Sequence, residues 1–287
     1  MRAGTQALAA GRRHSVGCRQ DGTVLAAGSN TAGECRVGQW KDVVAVAAAN
    51  VHTAANTGRS HTVGLRSDGT VLAAGWNGDG QCDVAAWRGV TAVAAGWRRT
   101  LGLLADGTVL AVGRTSEGQC GVQSWREVVA ISCGDWHSAG VRADGSALAA
   151  GNNRRGQCAV DGWRDLTAVA AGYLHTVALR HDGRVLAAGN RTTGACDVGE
   201  WEDVVAVAAG SYHTVGVTAS GRVLAAGDNS LGQCRVGDWR DIVAVAAGST
   251  HTLALRADGT VVSAGNNASG QRDVGSWSGI QVPGARA

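Results

Sequence analysis

The sequence contains no phenylalanine, two tyrosines and a single proline among 287 residues. A chain so poor in proline, with 44 glycines, is neither collagen-like nor a disordered linker, so its glycines must serve turns. Its formal charge of +3 is too small to indicate a nucleic-acid or membrane partner by itself. No window approaches the length of a transmembrane span, and residues 1–15 lack the apolar stretch of a signal peptide. We therefore expect a cytoplasmic protein, with a trimmed secreted form as the open alternative.

What the chain does contain is a repeat. The motif Trp-x-Asp, with Gly or Glu for the Asp in three copies, recurs at Trp40, Trp87, Trp125, Trp163, Trp201, Trp239 and Trp277. All spacings are 38 residues except the first, which is 47. The sequence thus predicts one domain built from repeats 5–42, 43–89, 90–127, 128–165, 166–203, 204–241 and 242–279, with a closing tail at 280–287.

Each repeat reads approximately VVAVAAG-xx-HTVGLR-x-DG-TVLAAG-xNxx-GQC-x-V-xx-W-x-D. The three Val-rich runs are typical of strands, and Asp-Gly between two of them is a hairpin signal of the type I′ turn. The Gly-Gln-Cys segment can supply a fourth strand. Four antiparallel strands in about 40 residues are typical of one blade of a β-propeller. We predict an all-β, seven-bladed β-propeller of four-stranded blades.

The run from Val169 to Leu179, Val-Ala-Ala-Gly-Tyr-Leu-His-Thr-Val-Ala-Leu, resembles the signature of the regulator of chromosome condensation repeat family. The pattern recurs around His14, His61, His137, His213 and His251, whereas the third copy has Arg99 in place of the His. The resemblance covers about residues 5–282 and implies a seven-bladed propeller. Its members include exchange factors, scaffolds and inhibitors, so it leaves the function open. A secreted β-lactamase-inhibitory propeller of the family is similar in form and suggests a mode of binding.

The recurring residues have structural interpretations. We expect the seven Trp to form an interblade core and the six His to make structural hydrogen bonds, because Arg99 interrupts any histidine metal ring. Six cysteines share the Gly-x-Cys slot, and equivalent positions in neighbouring blades lie too far apart for disulfides. We therefore predict free thiols that pack as small apolar residues, with no metal and no cofactor. A redox or metal role for these cysteines is the open alternative.

The variable residues fall on one side of the predicted ring. The xx loops and the xNxx loops open on the same face, which we call the loop face, and the Asp-Gly turns and Trp-x-Asp links lie on the opposite hairpin face. All five aromatics outside the framework are on the loop face, together with several arginines, as is typical of interface hot spots. The predicted partner-binding residues are Trp76, Trp97, Arg98, Arg99, Trp136, Arg154, Arg155, Tyr173, Tyr212 and His52.

The 47-residue spacing reflects nine extra residues in the xx loop of the second repeat, where His-Thr occurs at both His52 and His61. Such a duplication is tolerated at small entropic cost in a surface loop. Either it is neutral, or it forms a protruding contact loop beside the aromatics.

These features favour a monomeric, non-catalytic propeller that binds a protein partner, for which an acidic surface is one option, and that acts as a scaffold, regulator or inhibitor. No loop combines a nucleophile, a base and an orienting acid, and no Gly-rich loop precedes a helix, so we do not expect an enzyme. The alternative is guanine-nucleotide exchange or a chromatin- or nucleic-acid-associated regulator, although the small charge makes nucleic acid a poor expectation. Ring closure is ambiguous, because Thr5–Leu8 and Ile280–Val282 both align with the first strand and one slot is available.

Overall fold

The computed structural model describes residues 6–53 and 59–284, and these form seven antiparallel sheets. The ends of the predicted first repeat and closing tail, and residues 54–58 of the insertion, lie outside the described residues. Each sheet has three strands in sequence order, and one sheet is one blade. Within the described ranges, no helix is long and apolar enough to cross a membrane.

The strands have the following bounds. Blade 1 contains β1 (Leu8–Ala10), β2 (His14–Cys18) and β3 (Val24–Gly28), and blade 2 contains β4 (Val43–Ala48), β5 (His61–Arg66) and β6 (Val71–Gly75). Blade 3 contains β7 (Val90–Gly96), β8 (Arg99–Leu104) and β9 (Val109–Gly113), and blade 4 contains β10 (Val128–Cys133), β11 (His137–Arg142) and β12 (Ala147–Gly151). Blade 5 contains β13 (Leu166–Ala171), β14 (His175–Arg180) and β15 (Val185–Gly189), and blade 6 contains β16 (Val204–Ala209), β17 (His213–Thr218) and β18 (Val223–Gly227). Blade 7 contains β19 (Ile242–Ala247), β20 (His251–Arg256) and β21 (Val261–Gly265).

The blades form a closed ring. The first strands of successive blades contact one another from β4 through β19, and β1 contacts both β4 and β19. The Val- and Ala-rich first strands therefore surround the axis, where small side chains allow neighbouring sheets to converge. The predicted all-β, seven-bladed propeller is confirmed.

The prediction of four strands per blade is wrong. The Gly-Gln-Cys segment folds as consecutive tight turns, as in blade 2, where Gly80 N–H donates to Asn77 O and Asp83 N–H to Gly80 O. The Asn77 side chain also accepts the N–H of Cys82, at 2.7 Å. Because these local partners satisfy the backbone, the segment does not need to pair with the third strand.

The Asp-Gly hairpins are present, but their turns are not type I′. In the turn of blade 2, between Arg66 and Thr70, only Gly69 has a positive φ, of 78°. Its N–H donates to Arg66 O, while Arg66 N–H donates to Thr70 O. This is the three-residue turn that ends in a glycine bulge. The Asp68 carboxylate accepts the N–H and the hydroxyl of Thr70, which explains the frequent Asp-Gly-Thr.

Two chain segments share the first-strand position of blade 1. Residues Leu8–Ala10 pair with β2, and Cys18 N–H donates to Ala7 O, while Ile280 forms a bridge with Arg19 further along the same strand. In blade 5 one continuous strand makes the equivalent pairs, with Leu166 opposite Arg180. The expectation that only one terminus fills this slot is wrong, because each terminus supplies part of it.

The seven framework Trp form the interblade core, as predicted. Five of them pack on a glycine of the second strand of the next blade, and a Cβ at Gly64 would lie 2.7 Å from the Trp40 ring. Where Ala178 and Ala254 replace this glycine, the corresponding Trp163 and Trp239 are half-buried instead of buried. The added methyl group therefore accounts for the outward position of these two rings.

A chain of hydrogen bonds joins all seven blades. In six blades a buried His Nε2 lies 2.7–3.1 Å from the hydroxyl of Thr or Ser in the next blade. Each of those hydroxyls donates its proton to a backbone carbonyl, as Thr176 does to Gln157 O at 2.7 Å. The hydroxyl must therefore accept from the imidazole, which fixes the neutral tautomer with hydrogen on Nε2. The predicted structural role of these histidines is confirmed.

Burial makes these histidines poor bases. It lowers the pKa of His14, His175 and His213 from 6.5 to about 4, and that of His61, His137 and His251 to about 3. Among the described residues, five of the six Nδ1 atoms have no hydrogen-bond partner, so a second proton there would be unpaired.

These lowered pKa values predict acid unfolding. Between pH 6.5 and about 4 the unfolded chain binds protons at these histidines and the folded chain does not, so lowering the pH favours unfolding. Each histidine should add a slope of about 1.4 kcal/mol per pH unit to the free energy of unfolding. Urea denaturation between pH 8 and pH 4.5 measures this slope. His175→Gln should reduce the number of protons taken up on unfolding by about one. A free energy of unfolding that is constant over this range would contradict the assignment.

The glycine that follows the first strand of a blade, such as Gly172 in blade 5, predicts a second effect on stability. An Ala Cβ at Gly172 would lie 2.4 Å from the carbonyl oxygen of Gly210 in the next blade and 2.4 Å from Cε1 of His175. Because neither atom can move away freely, Gly172→Ala should lower the free energy of unfolding by about 1–3 kcal/mol or more. Gly199→Ala, in the same repeat, is the control, since nothing lies within 4 Å of its added Cβ. Equal stability of the two variants in urea would show that the axial contact is not tight.

Candidate functional site

Residues 49–52, at the start of the insertion in blade 2, cross the axis of the ring on the loop face. Ala49 takes the axial position that glycine holds in the other blades, and its carbonyl accepts the N–H of Arg12. Asn50 Oδ1 then accepts from the hydroxyl of Ser249 in blade 7 at 2.8 Å, and this hydroxyl also contacts Val51 O. Val51 is fully buried. Residues 49–52 are therefore a plug over the centre of the ring. The choice between a neutral duplication and a protruding contact loop falls on residues 54–58, which lie outside the described residues.

The plug ends in a buried histidine–carboxylate pair. The backbone N–H and Nδ1 of His52 lie 2.5 and 2.9 Å from Asp135 Oδ2, in the xx loop of blade 4. Asp135 is 0% exposed and His52 is 7% exposed. Burial raises the pKa of Asp135, while its bonds from His52 and the charge of Arg99 act in the opposite direction. With Nδ1–H as donor to the carboxylate, His52 is fixed in orientation beneath the surface.

Arg99 belongs to the framework and not to the contact surface. It is fully buried, and its Nε donates to Ser138 Oγ at 3.1 Å, which replaces the interblade bond made elsewhere by histidine. Its remaining guanidinium groups donate to the carbonyls of Gly134, Asp135 and His137. The assignment of Arg99 to partner contact is therefore corrected, since the side chain cannot be reached and instead holds the loop that carries Asp135.

The aromatic side chains of four consecutive blades meet around His52. The ring centroids of Trp97 and Trp136 are 4.4 Å apart, and His52 lies 5.7 Å from each. His52 stacks on Tyr173 at 4.5 Å with an interplanar angle of 15°, and Tyr173 meets Tyr212 edge-on at 5.5 Å. His52 thus joins the two Trp to the two Tyr from below.

Arginines complete this arrangement. The Arg98 guanidinium lies over Trp76 at 4.6 Å and over Trp97 at 4.9 Å, and Arg114 lies over Trp97 at 4.7 Å and over Trp136 at 5.8 Å. Arg59 adds a longer contact with Trp76, at 5.7 Å. Each distance is within cation–π range. We call the following residues the arginine–aromatic band: Trp76, Arg98, Trp97, Arg114, Trp136, Tyr173 and Tyr212.

Apart from Arg99, the sequence-predicted site residues separate into three groups. Trp76, Trp136, Tyr173, Tyr212 and Arg98 are half-buried members of the band. Trp97, at 6% exposed, and His52 support it from within, and His52 is corrected from a contact residue to a buried one. Arg154 and Arg155 are exposed in the neighbouring loop of blade 4 and make no cation–π contact among the described residues. Arg114 was missed as a site residue, and the available signal was its position directly after β9, where its backbone N–H donates to the carbonyl oxygen of Arg98 in the xx loop of the same blade.

The cysteines do not form a reactive site. All eight are free thiols, as predicted. The six in the Gly-x-Cys slot donate to the carbonyl oxygen six residues earlier, for example Cys120 to Arg114 O at 3.1 Å. Burial raises the pKa of Cys82 and Cys158 to about 11, so these thiols are poor nucleophiles. In the part of the chain that the structure describes, no three His, Cys, Asp or Glu side chains are grouped to hold a metal ion.

Comparison with known families and structures agrees with this architecture. The regulator of chromosome condensation (RCC1) repeat model matches residues 6–34, 43–81, 90–119, 128–157, 204–233 and 242–271. The crystal structure of Prp20p from Saccharomyces cerevisiae superposes with a TM-score of 0.67 at 20% identity, covering 86% of this chain and 81% of that chain. The ectodomain of the receptor kinase CR4 from Physcomitrella patens gives 0.70 at 17% identity, with 92% and 74% covered. No curated protein matches the sequence. At these identities the structural likeness concerns the fold.

The buried pair predicts a specific mutational effect. His52→Ala should remove the side-chain hydrogen bond to Asp135 and the stacking contact with Tyr173, and it should lower the free energy of unfolding by about 2–4 kcal/mol. The near-ultraviolet circular dichroism of Trp97 and Trp136 should decrease as well, because their packing against the imidazole is lost. Thr53→Ala, at the adjacent exposed position, is the control and should change neither quantity. If both variants behave like the parent protein, the plug does not support the band.

Proposed function

Because the chain belongs to the regulator of chromosome condensation (RCC1) repeat family, we propose that it is a non-catalytic propeller that binds a protein partner through the arginine–aromatic band. The band carries the proposal, since it gathers every Trp and Tyr outside the framework on one face. Trp, Tyr and Arg are the residues most enriched among interface hot spots. The regular hairpin face has no comparable cluster in the described residues.

The rigidity of the band supports this proposal. Its rings pack on one another and on the buried His52, and its arginines are held over the rings. Side chains that are ordered before binding lose little rotamer entropy when a partner arrives. A partner could therefore gain most of the interaction energy of these side chains without ordering them first.

Solved relatives support protein binding in general terms. Prp20p has been studied for its binding to Gsp1p and histones, and yeast RCC1 (Prp20) has been crystallised with Kap60 bound. At about 20% identity these partners are not transferred to this chain. No residue of the band points specifically to nucleotide exchange or to chromatin association. Both functions are therefore possible outcomes of the binding experiment.

A non-catalytic role agrees with the burial of the histidine–carboxylate pair that the described residues form on this face. His52 and Asp135 are both more than nine-tenths buried under the plug, where a substrate does not reach them. Their geometry serves packing of the rings above them. The monomeric state and cytoplasmic location stay predictions from the sequence.

The function is tested by substitutions of half-buried band residues. Trp136→Ala, Tyr173→Ala and Tyr212→Ala should keep the fold, and at least one should weaken partner binding about 30-fold, which is about 2 kcal/mol. The immobilised protein is first used to capture partners from native lysate for mass spectrometry, and the purified partner is then titrated by calorimetry. Trp97→Ala is a less clean probe, since that ring is buried and its loss also costs stability.

Arg184→Ala is the matched control on the hairpin face, where Arg184 forms an exposed ion pair with Glu202. It should leave binding unchanged. Partners that are retained by all three aromatic variants but lost by Arg184→Ala would place the binding surface on the opposite face.

A further inference from the structure

We propose that the arginine–aromatic band is a carboxylate receptor, in which Arg98 and Arg114 bind side-chain carboxylates of an acidic protein segment. This inference rests on the proposed function, because it names the chemistry of the partner that the same surface takes. It follows from how the two guanidinium groups are held and from which of their hydrogen-bonding groups are already used.

Arg114 is fixed in place without a carboxylate partner. Its guanidinium lies over Trp97 and Trp136, and its Nε donates to Ser116 Oγ at 2.7 Å. Among the described residues its two terminal amino groups have no hydrogen-bond partner, and no carboxylate lies within ion-pair distance. A guanidinium that is held flat, with its fork of N–H groups unused, matches the bidentate geometry of a carboxylate.

Arg98 is held by a strained backbone. Within residues 6–53 and 59–284, six residues other than glycine have a positive φ, and five of them are the Asp or Glu of the repeated Trp-x-Asp link. Arg98, with φ of 60°, is the sixth, and this conformation coincides with its placement between Trp76 and Trp97. A strained residue at a surface cluster is a recognised mark of a functional position.

The chain supplies an internal competitor for Arg98. Asp79 Oδ2 lies 3.4 Å from Arg98 Nη1, a long contact between two partly exposed groups. An exposed pair at this distance is weak, so an incoming carboxylate can replace it. Asp79 therefore shows the kind of group that Arg98 binds. Removing the Asp79 carboxylate should increase the affinity for an acidic ligand.

The surroundings favour an acidic protein segment over nucleic acid. Exposed arginines border the band at Arg13, Arg59, Arg154, Arg155 and Arg191. Both arginines of the band lie over the ring of Trp97, and this ring is only 6% exposed, so it is not available for stacking with a base. Single-stranded nucleic acid binds by stacking its bases on open aromatic ring faces, whereas a carboxylate needs only the outer edge of each guanidinium.

The test uses a capped, fluorescently labelled decapeptide of alternating Asp and Gly, with the Asn-Gly decapeptide as its neutral match. The protein should bind the Asp peptide at least tenfold more tightly at low ionic strength, and the difference should shrink with added salt. Arg114→Gln should weaken binding of the Asp peptide at least tenfold. Asp79→Asn should strengthen it several-fold, a gain that misfolding cannot produce. Arg184→Gln, on the hairpin face, should change nothing.

Equal affinity for the two peptides, or weaker binding of the Asp peptide by Asp79→Asn, would overturn the proposal. Tighter binding of a ten-residue oligothymidylate than of the Asp peptide would overturn it in favour of nucleic acid. The proposed function can hold when this inference fails. If Trp136→Ala or Tyr173→Ala abolishes binding of the captured partner, and Arg114→Gln and Arg98→Gln do not, then the band binds a protein by another chemistry.

Discussion

The hydrogen bond from a buried histidine to a hydroxyl of the next blade is the constraint on which the rest of the molecule depends. The hydroxyl has one proton, which it gives to a backbone carbonyl, so the imidazole must donate from Nε2. Burial lowers the histidine pKa and keeps the imidazole neutral. The histidine begins the second strand, directly after the xx loop. Each variable loop is therefore anchored at its base by a bond that also joins two blades. A propeller built in this way can change its loop-face residues without loosening the ring.

The exceptions to the repeat lie in one sector and depend on one another. Arg99 replaces the framework histidine in blade 3, and its guanidinium holds the loop that carries Asp135 in blade 4. Asp135 in turn accepts both donors of His52 from the insertion. A buried guanidinium charge, a buried carboxylate and an insertion would each be costly alone, but together they satisfy one another. We regard them as one structural unit beneath the arginine–aromatic band.

The sequence predicted the features that repeat, because seven copies of a pattern report on the same physical environment. Blade number, strand positions, framework Trp and structural His all follow from that redundancy. The missing fourth strand was not predictable from propensity, since local turns and the Asn77 side chain satisfy its backbone. Ring closure by both termini depends on the register of Ile280 against Arg19, for which a single sequence contains no signal. The position of His52 was hidden for a similar reason, because its partner Asp135 is 83 residues away.

The insertion also makes the two ends of the axis different. On the loop face, Asn50, Val51 and His52 close the centre, whereas near the hairpin face Val129 and Val205 are 41% and 55% exposed. The plug packs against blades 3, 4, 5 and 7 at once, and its His52 ring contacts Trp97, Trp136 and Tyr173 from three consecutive blades. A change at His52 or Asp135 is therefore transmitted to Trp97, Trp136 and Tyr173 together. The described residues 49–52 of the insertion therefore support the arginine–aromatic band from inside the ring, and this support depends on buried groups in four different blades.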